Sequence, residues 1–298
     1  MQVRQTEQLH KAAIGIHVLH PAKVAACLIE GQADALSHVT SCADQIARGG
    51  ELMASAIRAG ACLHYAAAGS SALMALADAC ELAGTYGIDP AKVKIHMAGG
   101  IPQDASMPGD VEDDADGALS RAKNVAEGDV VITISASGST PFALEFANTA
   151  RENGASTICI SNTPDSPLLR DATVAICLPT PPEVIAGSTR MGAGTAQKAA
   201  LNTMSTVMGV SLGHVHDGMM VNLRADNDKL RRRATAMVVT IADVSIDDAE
   251  QFLQTSRGAV KPAIMLAAGA ANLAEANDLI DQADGKLHAA LATMTRRR

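Results

Sequence analysis

A doubly wound α/β fold, a five-stranded parallel sheet in a three-layer αβα arrangement, is predicted by two features of this 298-residue sequence: five short apolar runs, and Ala/Leu-patterned stretches between most of them. The runs are Ala61 to Ala67, Lys92 to Met97, Asp129 to Ile134, Ser156 to Ile160 and Thr173 to Leu178, each closed by a small-residue or polar turn. They are too short for buried helices, and strands that are apolar throughout belong to a parallel sheet covered on both faces. Such sheets bind ligands at the carboxyl ends of their strands. Three loops fall there: Gly69-Ser70-Ser71, Ala98-Gly99-Gly100 and Ser135 to Thr140. Ahead of the sheet, about His20 to Ala47 carries helical apolar spacing at Ala25, Leu28, Leu36 and Val39. Beyond Ala234, Ser245-Ile246-Asp247-Asp248-Ala249-Glu250 reads as a helix cap followed by Ala/Leu-rich helices. The expected organisation is a helical arm over 1–43, an α/β domain over 44–235 and a small helical region over 236–298.

Composition narrows the function classes. With 48% hydrophobic residues the chain can bury a full core. A net charge of -8 argues against a nucleic-acid surface, and Arg231-Arg232-Arg233 and Arg296-Arg297-Arg298 are too short to change that, reading as solvated helix ends. No charged segment with an apolar core opens the chain and no apolar stretch reaches spanning length, since the Ala-rich stretch from Ala54 is broken by Arg58, His64 and Asp78. A cytoplasmic protein without a membrane partner is expected. The six cysteines, Cys27, Cys42, Cys62, Cys80, Cys159 and Cys177, show no C-x-x-C spacing, which suits reduced thiols better than disulfides or zinc. Ala, Gly and Met on the helices suit close helix contacts and a homo-oligomer, with a homodimer the expected state.

The chemistry concentrates in Ser135-Ala136-Ser137-Gly138-Ser139-Thr140-Pro141, four hydroxyls and a glycine between a strand and a helix start. Unpaired backbone N–H groups and the positive end of the helix dipole face a ligand there, and hydroxyls add neutral donors around an anion. An N-cap role for Ser139 or Thr140 accounts for one hydroxyl and leaves three. No G-x-G-x-x-G or P-loop competes. Ser70 and Ser71 form a second hydroxyl turn. A third segment, Glu183 to Lys198, offers Glu183, Ser188 and Thr189, for which capping or ligand binding is open. His64 reads as a core histidine, and His214 and His216 as a helix-end pair, a ring-opening group or a subunit boundary. The histidines share no metal-ligand spacing, so no metal site is expected.

Gly-Ser-Ser paired with Ser-x-Ser-Gly-Ser-Thr-Pro on successive βα loops resembles the sugar isomerase (SIS) fold, which binds phosphosugars. Glu183 to Lys198, Asp78-Ala79-Cys80-Glu81 with Thr85-Tyr86-Gly87, Val111-Glu112-Asp113, and Met220-Val221-Asn222 through Asn227-Asp228-Lys229-Leu230 resemble the N-acetylmuramic acid 6-phosphate etherase and glucokinase regulatory protein subgroup. The resemblance covers roughly residues 58 to 235. It implies a SIS phosphosugar-binding domain at 44–235 and an enzyme of amino-sugar metabolism needing no metal or organic cofactor. The implied reaction is elimination of a C3 ether substituent such as lactate from a phosphosugar, followed by water addition. One carboxyl group must take the C2 proton and another protonate the leaving oxygen, so the two need opposite protonation states. By motif match Glu81 is the acid and Glu112 the base. Burial at the end of an Ala-rich helix is expected to keep Glu81 protonated, and the carboxylates around Glu112 to raise its pKa. Ser70, Ser71, Ser135, Ser137, Ser139, Thr140, Glu183, Ser188 and Thr189 are the implied phosphate and sugar contacts. The sequence also departs from the family. Cys80-Glu81-Leu82-Ala83-Gly84 lacks the family's two prolines after the glutamate, Ala72-Leu73-Met74 replaces Gly-Arg-Leu, and Arg190-Met191-Gly192 replaces Arg-Met-Lys. A phosphosugar aldose-ketose isomerase and a non-catalytic phosphosugar sensor are the alternatives.

Overall fold

The computed structural model describes residues 5–223, 225 and 227–295. Arg296-Arg297-Arg298, whose role as a solvated helix end was expected, lies outside the described residues, as do Arg224 and Asp226 of the Met220 to Leu230 motif. By internal contact the chain forms two compact units, Met1–Cys80 with Ala91–Ser205 and Glu81–Pro90 with Thr206–Arg298.

The first unit contains the sheet: β1 (Leu63–Ala67), β2 (Val93–Met97), β3 (Val130–Ser135), β4 (Ser156–Ser161) and β5 (Val174–Cys177). All pairings are parallel, in the order β2-β1-β3-β4-β5. Every residue of β1 and β3 is buried, which is why both read as unbroken apolar runs. The order reverses between β1 and β3, so the switch point, where ligands of open α/β sheets bind, lies at their carboxyl ends.

Helices cover both faces. On one, α5 (Ala115–Ala122) and α6 (Pro141–Glu152) bury Ala118, Ala122, Phe142, Phe146 and Ala150 against Ala66 and Val131. On the other, α2 (Ala43–Arg58) meets α7 (Gly192–Ser211) with almost nothing between: a Cβ on Gly49 would lie 2.6 Å from Met204 Sδ and 3.6 Å from Ile158 Cδ1. In a chain with only 2% aromatic residues, glycine and alanine let backbones approach, which preserves interior packing density. Within the stretch expected as a helical arm, 1–43, lie α1 (Pro21–Ser37) and a 3₁₀ turn at His38–Cys42. α3 (Gly69–Ala79) follows β1.

The second unit is helical: α4 (Leu82–Tyr86), the end of α7, and α8 (Asp228–Ala242), α9 (Ile246–Thr255), α10 (Val260–Ala267), α11 (Leu273–Gln282) and α12 (Leu287–Thr295). Val238, Ala249, Ile264, Met265, Ala276 and Ala290 are among its buried core. Ser245 caps α9 by accepting from Asp248 N at 3.1 Å, as its sequence predicts. Among the described residues no helix is long and apolar enough to cross a membrane.

Candidate active site

The loop after β3 gathers its hydroxyls onto one another. Ser135 Oγ lies 2.8 Å from Thr140 Oγ1 and 3.4 Å from Ser137 Oγ, and Ser139 Oγ donates to Ser137 Oγ at 3.1 Å. Gly138, at φ +62°, makes the turn: its N–H donates to Ser135 Oγ at 3.0 Å, and a Cβ there would stand 2.2 Å from Ser166 Oγ. From behind, Asn162 N and Thr163 Oγ1 donate to Ala136 O at 3.1 Å, and Leu168 N donates to Gly138 O at 3.0 Å. Thr140 occupies the N-cap position of α6 but its side chain makes no capping bond. The capping explanation of this loop therefore fails, and the hydroxyls stand beside a helix N-terminus with first-turn N–H groups free to receive an anion.

Opposite lies Ser70-Ser71, in the first turn of α3. Ala68 is its N-cap residue, again without a side-chain cap. Gly69 sits at φ +55°, and a Cβ there would lie 2.3 Å from Glu112 Oε1 and 3.4 Å from Glu112 Cδ. The missing side chain is what lets the Glu112 carboxyl lie against this turn.

These loops enclose a cavity of about 400 Å³ lined by Ser70, Ser71, Ser135, Ser137, Ser139 and Thr140, together with Glu112, Thr189 and others. Ligand sites fall in this size range. Sequence reasoning missed Thr6, Glu7, Asp113 and Gly187, which also line it. Asp113 carried a signal, being adjacent to Glu112. Thr6 and Glu7 carried none, because they reach the cavity through one long-range bond, Gly187 N donating to Thr6 O at 3.0 Å. The acidic run is thus sorted: Asp114 accepts from Gly117 N at 2.8 Å as the cap of α5, while Glu112 and Asp113 face the cavity from the turn Val111–Asp113. The Ala98-Gly99-Gly100 loop, expected to converge on the crevice, instead supports this turn. A Cβ on Gly99 would meet Pro108 at 2.9 Å and Val111 at 3.1 Å.

The remaining expected contacts are arranged differently. Glu183 is buried, its Oε2 accepting from Gly192 N at 2.9 Å and its Oε1 from Ala193 N at 2.8 Å. Both oxygens cap the N-terminus of α7 and Glu183 does not line the cavity, nor does Ser188. Glu81 lies in the second compact unit, exposed, as the N-cap residue of α4. The helix before it ends at Ala79, so the burial expected of Glu81 is not met. His214 and His216 are in that same unit, where His216 pairs its backbone with Met219. Asp78, by contrast, is buried in the first unit, accepting from Tyr65 Oη and Ser205 Oγ at 3.0 Å each. Burial and the Asp78 charge hold the Tyr65 phenol well above its ordinary pKa.

Sheet order, switch-point cavity and hydroxyl cup define the class, a sugar-isomerase-type α/β domain. The family model described as SIS domain matches residues 105–207. A solved protein of E. coli CFT073 shares the fold at a TM-score of 0.50 and 16% identity, covering 67% of this chain and 97% of that one. An N-acetylmuramic acid 6-phosphate etherase of Symbiobacterium thermophilum is 43% identical over 74% of this chain and 74% of its own. One of Deinococcus radiodurans is 36% identical over 88% of this chain and 87% of its own. The chain belongs to the N-acetylmuramic acid 6-phosphate etherase family.

Proposed function

We propose that this protein is a carbon-oxygen lyase that removes a C3 ether substituent, lactate in the first instance, from a 6-phosphorylated amino sugar and replaces it with water. One observation carries the reading beyond family membership: a carboxyl group, Glu112, faces the same cavity as the hydroxyl cup that suits a phosphate. With the phosphate in the cup, the donors of Ser135 to Thr140 and the first turn of α6 hold one end of the sugar. Glu112 takes the proton from C2 of the open-chain aldehyde, the C3–O bond breaks, and the electron pair leaves with the substituent oxygen. That oxygen receives a proton from an acid, assigned to Glu81 on its motif match, and water then adds at C3. The reaction balances without a metal or organic cofactor. Asp113 and Glu7 are further carboxyls at the cavity wall. The loss of an arginine and a lysine relative to the family pattern bears on substituent choice, since it removes positive charge available to an acidic lactyl group. The working state is proposed to be a homodimer, and the site to be cytoplasmic.

Purified protein given N-acetylmuramic acid 6-phosphate is expected to release lactate. Glu112→Gln should lower the rate roughly 10²- to 10⁴-fold, the range of general acid–base catalysis, and so should Glu81→Gln; lactate release indifferent to both would overturn the mechanism. Proton transfer from C2 to C1 with the C3 substituent retained would instead identify an isomerase, and ligand binding without turnover a sensor.

A further inference from the structure

We propose that Cys62, His64 and Asp129 form a binding site for one divalent cation of the zinc type, at the amino-terminal ends of the interior strands β1 and β3, opposite the cavity. Cys62 immediately precedes β1, His64 is its second residue, and Asp129 immediately precedes the neighbouring strand β3, with Leu63 and Val130 in register. One donor atom of each residue lies within 4.8 Å of the other two. His64 and Asp129 are buried, at 3% and 6% exposure, and Cys62 is partly exposed. Tetrahedral ligands held at zinc distances stand roughly 3.3 to 3.7 Å apart. The gap of 3.1 Å between His64 Nε2 and Asp129 Oδ2 is close to that, so small side-chain shifts admit the ion.

The shell behind these donors is already built. Asp129 Oδ1 accepts from Cys62 N at 2.7 Å and Oδ2 from Ala126 N at 3.0 Å, which fixes the carboxylate. His64 Nδ1 lies 3.0 Å from His96 Nε2, with the two rings nearly parallel, and His96 packs on Phe146. His64 Nε2 lies 3.1 Å from Asp129 Oδ2, an acceptor-only carboxylate, so in the metal-free protein that nitrogen donates to Asp129 and Nδ1 accepts from His96 Nε2–H. On binding, the two imidazoles exchange tautomers with no net loss of protons, so that His64 Nδ1–H faces His96 Nε2 and the freed His64 Nε2 lone pair bonds the ion. An imidazole tied back through its second nitrogen and a carboxylate tied back through backbone N–H groups are the supports metal ligands carry. A purely structural Asp129–His64–His96 chain uses two of the three donors and gives the Cys62 thiol no part. Nitrogen, sulfur and oxygen ligands from three residues suit Zn²⁺ or Co²⁺, with the fourth position open to water on the exposed Cys62 side. On binding, the thiol releases one proton to solvent and its sulfur bonds the metal. The ion would then cross-brace β1 and β3, the strands whose other ends carry the two hydroxyl loops.

The test uses the full chain, stripped with a chelator and titrated with Co²⁺ alone, then with Zn²⁺. One equivalent of Co²⁺ per chain is expected, with a thiolate-to-cobalt charge-transfer band that Zn²⁺ displaces. Cys62→Ser, nearly isosteric at a partly exposed position, should abolish the band, while Cys80→Ser, at an exposed thiol elsewhere, should retain it. No stoichiometric binding, or a band unchanged in Cys62→Ser, would overturn the proposal. Binding is read without turnover, so lyase activity and this site stand or fall separately.

Discussion

Gly69 shows how much of the candidate site rests on one absent side chain. Its positive φ and the 2.3 Å from a built Cβ to Glu112 Oε1 mean that Gly69→Ala must push the carboxyl off the turn. With Glu112 in its proposed role as base, we expect lactate release to fall toward the level of Glu112→Gln, by roughly 100-fold, since misplacing a reacting group by about 1 Å costs on that order. KM should change less than kcat, because the hydroxyls of the β3 loop are untouched; steady-state kinetics on both variants decide this. Lys261 poses a different residue-scale question. It is buried in the second unit, donating to Gly213 O at 3.3 Å and Gly285 O at 3.0 Å, and burial lowers its pKa to about 8 although Asp281 pulls it upward. The folded-state pKa of this base is thus below its unfolded value, so between pH 8 and 10.5 the unfolded chain binds more protons and stability contributed at this site rises with pH. Denaturant unfolding at pH 7.5 and 10 should show wild type gaining relative to Lys261→Met, by up to roughly 3 kcal/mol. An unchanged difference would mean the ammonium is not desolvated.

At the scale of elements, the helix N-termini divide the labour. Those of α3 and α6 lack side-chain caps and open on the cavity, whereas that of α7 is closed by Glu183 through two bonds of 2.9 and 2.8 Å. Removing that carboxylate strips two N–H groups of their acceptor, so Glu183→Ala should destabilise by about 2 kcal/mol, while KM for the phosphosugar stays within about twofold. A large KM change with little loss of thermal stability would make Glu183 a ligand instead. This division also explains what was legible beforehand. The strands were, because burial on both faces writes them as unbroken apolar runs, and so was the β3 loop, whose hydroxyl density exceeds what capping needs. Glu183 was not, because Ser188 and Thr189 looked like the natural caps while the acceptor came from residues further upstream. Glu81 misled in another way: Ala-rich sequence runs through position 80, yet α3 ends at Ala79 and the side chain is exposed. Cys62, His64 and Asp129 escape any spacing rule, since their proximity arises from pairing β1 with β3.

For the molecule as a whole, the arm preceding the sheet is the part a single chain leaves least explained. Leu9, Ile14, Val18 and Ile29 are 78%, 85%, 75% and 65% exposed, a run of large apolar side chains that a second copy would remove from water. The same arm carries Thr6 and Glu7 to the cavity wall, tied by Gly187 N to Thr6 O. Burying the arm against a partner would fix those two residues and lower the entropy lost when substrate binds. The homodimer is therefore expected to be the more active form. Sedimentation at micromolar concentration should give the mass of two chains, and Ile14→Glu with Ile29→Glu should shift it to one chain and reduce kcat/KM at least several-fold. Both positions are exposed in the single chain, so the double variant keeps its fold by circular dichroism. A wild type that sediments as a monomer while releasing lactate at full rate would show that the arm serves the cavity without a partner.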